Sequence, residues 1–346
     1  MKRADEVEET NGSVMALDRD IYRELGDVET HAQLQAFARS TKIALDRDRL
    51  QLMLCGTDLG HHDADPHLAK YADSLPIAVT EGEFAEFHER LTNYDLCMED
   101  SWTGYFVSRC LVTWTQAEPM VLLHLDDHTD MMDTLLVFAS DGLLEPGAGA
   151  RFDPANPSHW STAIRSGAIG IGSFVTALYY LPQLVHVLHL NHSTDCSYQR
   201  SAVVRREVEL SLLPRAHFVG IEKQTQVSGE QLGTYASSID AARLLGSIPE
   251  GRLIVHIDLD YFINDYNGNL GQEPALSVDA LRGKASERME KFFNALSRTG
   301  VTVERWIIAT SPGFCSALHW EWLLGALTVY IRDLSAVQIG SGDSTH

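Results

Sequence analysis

From Asn93 onward the chain reads as a series of short apolar runs, each ending in Gly, Asp or His and separated from the next by a stretch long enough for a helix. The runs are YDLCM, PMVLLHL, AIGIGSF, LVHVLHL, AHFVGI, RLIVHIDL and VERWIIAT. Runs that lack polar alternation belong to strands buried on both faces, the habit of a parallel sheet covered by helices. The expected fold is therefore a three-layer α/β/α arrangement around a mostly parallel central sheet. VDALRGKASERMEKFFNALSRTG carries one apolar stripe at helical spacing, and Gly300 stands where such a helix must stop.

The front of the chain is more irregular. Residues 1 to about 15 read as a polar, frayed tail. HAQLQAFARS then has helical spacing, and TKIALDRDRLQLMLCG alternates around a central Asp-Arg-Asp-Arg as a hairpin does. The expected organisation is an extra N-terminal region over 1–92 and a main domain over 93–346.

The formal net charge of −21 argues against nucleic acid as a partner, since that affinity rests on Lys and Arg neutralising phosphates. An acidic surface suits a cationic ligand better. No run approaches the roughly 20 apolar residues that a membrane helix needs, and MKRADEVEETNGS has no apolar core of a secretory signal, so the expectation is a cytoplasmic protein. Cys55, Cys97, Cys110, Cys196 and Cys315 are odd in number and unpatterned, which indicates neither a disulfide framework nor a thiolate zinc site. Composition leaves homo-oligomerisation open.

The densest chemistry stands at two strand ends, "VLLHLDDHTDMMDT" and "RLIVHIDLDYFINDYNGN". Ligands of open α/β sheets bind beyond the carboxyl ends of the strands. Side chains at alternate positions of extended chain share a face, so Asp126, His128 and Asp130 could point one way, and Asp258 and Asp260 likewise. If the two strands are neighbours, four carboxylates and an imidazole converge, and their repulsion in a desolvated crevice calls for cations. Two divalent ions would balance the charge, and an oxygen-rich set with one imidazole suits Mn²⁺. Such a pair would also make water a nucleophile near neutral pH. His124 and His256, inside the strands, and Asp127, facing away on simple alternation, read as supporting partners of the ligands rather than ligands.

These motifs resemble those of the ureohydrolases, the arginase and agmatinase superfamily, and the strings LHLDDHTDM and HIDLDYF are closer still to a divergent branch that includes the peptide arginases. The similarity runs from about Asp95 to about Leu334. It implies an arginase-like fold, two Mn²⁺ ions, and a first Asp of each motif, Asp126 and Asp258, that bridges them. It further implies hydrolysis of an arginine guanidinium to ornithine and urea, in a precursor peptide as the partner; the N-terminal region has no counterpart in that family and could be a peptide-binding addition. Alternatives are another metal-dependent C–N hydrolase, agmatinase-like or deacetylase-like, or a degenerate relative that binds peptide without turnover.

The sequence departs from that pattern at functional positions. The family's further ligand, a histidine at the end of the preceding strand, is missing from "CMEDSW", where Asp100 or Glu99 could replace it, a histidine could arrive from elsewhere, or one metal could be held weakly. His61, His62, Asp63, Asp65 and His67 in "GHHDADPH" read as a solvated polar loop. The family's proton-shuttle histidine has no clear match in "SGAIGIGSF", leaving His159 as the candidate. Glu321 is the candidate for holding the substrate, with Ser311 in the preceding turn and His319 and Trp320 as packing residues.

Overall fold

The computed structural model describes residues 14–342 except 73, 74, 78, 115–117, 141, 147, 148, 193–197 and 228. The N-terminal tail up to residue 13, and Cys196, lie outside the described residues; the other four cysteines are unpaired. Val14–Ala16 is strand β1, although Val14 and Met15 fall in the stretch expected to fray. It precedes helix α1 (Arg19–Phe37), capped by Asp18, whose side chain accepts from the Asp20 and Ile21 amides. The expected hairpin follows as β2 (Thr41–Asp46) and β3 (Gln51–Thr57), antiparallel, with β1 on the other edge of β3.

The central sheet takes β4 (His88–Arg90), β5 (Asp95–Cys97), β6 (Met120–Leu125), β7 (Val137–Ala139), β8 (Gly142–Glu145) and β9 (Ala150–Phe152) from the first half of the chain. From the second it takes β10 (Val185–Leu190), β11 (Gln199–Glu209), β12 (His217–Gln224), β13 (Gln231–Ser238), β14 (Arg252–Asp258) and β15 (Val303–Ala309). Their order is β4-β5-β15-β14-β6-β10-β13-β11-β12-β7-β8-β9. From β5 to β13 every neighbour is parallel, and outside that block every pair is antiparallel. The fold is therefore mixed α/β around a large central sheet, parallel at its middle. AHFVGI is a strand as expected, but in the antiparallel wing, and β4 falls within the stretch expected to be the N-terminal region.

Helices cover both faces because the parallel strands are apolar on both. Val121, Leu123, Val255 and Ile257 enter one core with residues of α6 (Ala241–Leu245), α7 (Val278–Thr299) and α8 (Trp320–Gly342). Met120, Leu122, Ile254 and Ile307 enter the other with α3 (Trp102–Leu111), α4 (Pro157–Arg165) and α5 (Phe174–Leu178). Helix α7 is the one expected from the sequence, begun by a Ser277 cap and ended by Gly300 at φ 65°. Among the described residues, no helix is long and apolar enough to cross a membrane.

One expected strand is absent. AIGIGSF forms tight turns leading into α5, because Gly167 just before it and Gly170 within it sit where backbone or side chains press in: a Cβ on Gly167 would come 2.6 Å from the Gly56 carbonyl oxygen, and one on Gly170 1.9 Å from Ser40 Cβ. The β2–β3 hairpin docks here, Thr41 donating to the Gly167 carbonyl and Thr57 to that of Ile164.

Gly313 marks a second close approach, between the β15 exit loop and the residues after β3. Its φ is 78°, and a Cβ would lie 2.0 Å from the His61 carbonyl oxygen. Gly313→Ala should therefore destabilise the fold by about 1–3 kcal/mol, as overpacking does, read as a lower midpoint in denaturant. An unchanged midpoint would mean that the two segments do not pack as described.

Candidate metal centre

Strands β6 and β14 are adjacent and parallel, with Leu125 opposite Ile257 and His124 opposite His256. That register carries Asp126 and Asp258 to the same level at the carboxyl edge of the sheet. The motifs then converge by turns, not by the extended alternation expected from the sequence. Strand β6 ends at Leu125; the Asp126 carboxylate accepts from the His128 amide at 2.5 Å, and Asp130 has φ 48°. In the second motif Asp258 accepts from the Asp260 amide at 2.9 Å, capping the short 3₁₀ turn Leu259–Tyr261. A short Asp side chain folds the backbone back on itself, which brings residues n and n+2 together.

The result is a tight group of ligand atoms. Asp126, His128 and Asp260 offer one atom each within 4.8 Å of one another, and so do Asp100, Asp126 and Asp130. His128 Nδ1 lies 3.0 Å from Asp260 Oδ2 and 3.4 Å from Asp126 Oδ1. Asp258 is outside these sets but lines the same cavity, of about 580 Å³, beside Asp100, His128 and Asp130.

Five aspartates at one place are costly without a counter-charge. Asp100, Asp126, Asp130, Asp258 and Asp260 are all at most 6% exposed. Burial, followed by the charge of Asp130, raises the Asp126 carboxyl to about 7. Burial and then Asp126 raise Asp260 to about 7, and burial raises Asp130 to about 6. Burial leads in raising Asp100 and Asp258 as well, followed by neighbouring carboxylates. Burial opposes the charge on His128, but its hydrogen bonds to Asp126 and Asp260 overcome it and push the imidazole up to about 12. One imidazolium does not satisfy the group, because Asp100 Oδ1, Asp126 Oδ2 and Asp130 Oδ2 are buried without a hydrogen-bond partner among the described residues. Unpartnered carboxylate oxygens beside one imidazole fit divalent cations. These buried groups could hold metal ions.

Of the two acidic residues in CMEDSW, Asp100 joins Asp126 and Asp130, and Glu99 does not. Glu99 is engaged by two others: His61 Nε2 donates to one oxygen at 3.2 Å and His62 Nε2 to the other at 2.5 Å. Burial pushes the Glu99 carboxyl up, but the charges and hydrogen bonds of the two histidines outweigh it and hold it well below the usual range. The expectation of a solvated loop at "GHHDADPH" is thus wrong. Gly60–Ala64 is a 3₁₀ turn whose histidine side chains are 12% and 10% exposed, pinned by the Gly313 approach and by Asp65, which accepts from Ser316 Oγ at 3.0 Å and the Ala317 amide at 2.7 Å. His61, His62 and Glu99 also form a compact group of potential ligands, but there each polar atom named already has its partner.

His124 and His256, expected as supporting partners, also offer one potential ligand atom each within 4.8 Å of one of Asp126. His124 Nε2 faces Asp130 at 3.4 Å and Asp126 at 3.6 Å, and its Nδ1 meets His256 Nδ1 at 2.8 Å. A third histidine had escaped notice: His189 on β10 is paired in register with His124, receives a hydrogen bond from Tyr235 at 2.6 Å and donates to the Asp126 carbonyl at 2.9 Å. The signal was legible in LHLD, LHLN and VHID, three strand ends of one pattern. Asp127 donates its amide to Asp260 Oδ1 and takes a bond from Asn264 on its carboxylate.

Two candidates are misplaced. His159 lies at the start of α4 with Nδ1 accepting from the Asp153 amide and Nε2 beside Asn156, and it does not line the cavity. Glu321 is exposed on α8 in a separate groove with Tyr71 and Arg282. Ser311, at φ 54°, does line the metal cavity, together with Phe314, whose ring lies against both His61 and His128. His319 is buried against Asp265, and Trp320 is buried, both packing as expected.

No family model matches the chain, and no curated protein matches it either.

Raised carboxyls and a raised imidazole have the same consequence without metal: the folded state binds more protons than the unfolded one, so stability falls as pH rises through about 6–7. A divalent cation removes that penalty. The gain in Tm on adding Mn²⁺ should therefore be larger at about pH 8 than at about pH 5; an equal gain at both would exclude these aspartates as the ligands.

Proposed function

We propose that this chain hydrolyses the guanidinium group of arginine in a precursor peptide, with two Mn²⁺ ions, giving ornithine and urea on an arginase-like fold. The observation that carries the reading is that Asp126 is shared by two carboxylate-rich ligand sets, with His128 and Asp260 on one side and Asp100 and Asp130 on the other, besides a third with His124 and His256. A shared carboxylate supports two ions side by side, with Asp258 adjoining both sets. Bound there, the ions would neutralise the aspartates and activate water as a nucleophile near neutral pH.

The protein's own groups do the rest. A guanidinium entering the cavity meets the carboxylates of Asp58 and Asp127 in place of Glu321, while Arg39, also in the lining, is a like charge that these carboxylates must outweigh. The amine that departs needs a proton, and the histidine the cavity offers is His61, fixed by Glu99, in place of His159. Phe314, edge-on to His128, walls the cavity and limits water around the reacting carbon.

Incubation of the Mn²⁺-loaded protein with free arginine and with arginine-containing peptides, followed by urea release and peptide mass, tests the reading. Loss of CN₂H₂ per arginine is expected, and no mass change on any arginine substrate would overturn it. His61→Ala should lower kcat by about 10²- to 10⁴-fold, while His159→Ala should leave it near the wild-type value; the reverse order would restore His159 to the proton transfer.

A further inference from the structure

Asp127 borders two cavities. On one side it lines the metal cavity. On the other it lines a second cavity of about 370 Å³, whose walls come from residues 262–265 after β14, from 272–276 and from the first turns of α7. A residue common to both makes them neighbours, so chain leaving the first has a place to enter.

The second cavity suits a short piece of extended chain. Its volume is at the lower end for ligand sites, enough for one or two residues and too small for a folded partner. Leu276 and Leu281 give it an apolar wall. Arg288, at its edge, holds the Tyr261 and Phe262 carbonyls with Nη1 at 3.0 and 2.9 Å and keeps its positive charge. Lys284 has no ion-pair partner among the described residues and stands exposed at the rim. The bounding loop holds Leu270, Leu276 and Val278 in solvent at 71%, 39% and 37% exposure, side chains that gain by being covered.

Free arginine would need only the first cavity. We infer that the second cavity holds the part of a peptide substrate adjoining the target arginine, with an apolar side chain against Leu276 and Leu281 and Asp127 at the junction. This rests on the reading of the metal centre as an arginine hydrolase, and it names the surface that selects peptide over amino acid.

The test uses the full Mn²⁺-loaded chain with two substrates, a peptide with leucine next to its arginine and N-acetyl-arginine amide. Leu276→Asp, and separately Lys284→Glu for the rim, should raise KM for the peptide about tenfold more than for the amide. Equal changes on both substrates, or none, would overturn the assignment. A second readout needs no turnover: a peptide carrying photoreactive benzoylphenylalanine beside the arginine is crosslinked and mapped by mass spectrometry. Crosslinks within residues 262–284 support the proposal, and crosslinks confined to 14–92, or their absence, overturn it. If neither substrate is hydrolysed, the reading of the reaction fails, and the crosslink map still decides the site.

Discussion

Carboxylates without partners, buried at the end of a parallel sheet, are the constraint on which the rest of this structure turns. Asp126, Asp258 and Asp260 are at most 3% exposed, and burial raises each of them. A protein tolerates such a group only if a compensating charge arrives or protons are retained. His128 supplies one positive charge, and the orphaned oxygens that remain mark where more is needed. The fold accepts instability here at a site whose buried groups could hold metal ions.

The scaffold holds the aspartates in place with neutral groups. His189, His124 and His256 sit side by side at one level of β10, β6 and β14, just beneath the ligands. Burial depresses all three imidazoles, so the row is uncharged and acts through hydrogen bonds. If His124 keeps its proton on Nε2, toward Asp126 and Asp130, its Nδ1 must accept from His256; His189 meanwhile fixes the Asp126 backbone. The rigidity of the parallel ladder is thereby passed to the carboxylates one residue further on.

Much of this was legible in the sequence because its signals are local. Continuous apolar runs announced β5, β6, β10, β14 and β15, and Ser277 with Gly300 bounds α7 as its apolar stripe required. The aspartates do lie together, though not for the reason the pattern offers: alternation along a strand suggests convergence, while Asp side chains folding the chain back produce it. What local pattern could not supply was pairing at a distance. AIGIGSF has a strand's composition, but Gly56 and Ser40, more than a hundred residues earlier, claim its backbone space. Likewise His61 and His62 carry no signal of their own that Glu99 is their partner.

That last pairing changes how the N-terminal region relates to the rest. A change in character near residue 92 is real in the sequence, and β1 to β3 do form a sheet of their own. The site ignores it. Arg39, Asp58 and His61 line the same cavity as Asp100, Asp130 and Ser311. Asp65 is bonded to Ser316 and Ala317, and Gly313 has no side chain because the His61 backbone occupies the space. Glu99 follows β5 directly, yet the two histidines that hold its charge come from the segment after β3. If that segment undocked, Glu99 would be left as a further buried carboxylate without a partner, beside five others. The electrostatics of the cavity therefore require the N-terminal region to stay in place, and any ion held there would be coupled to the packing of this region.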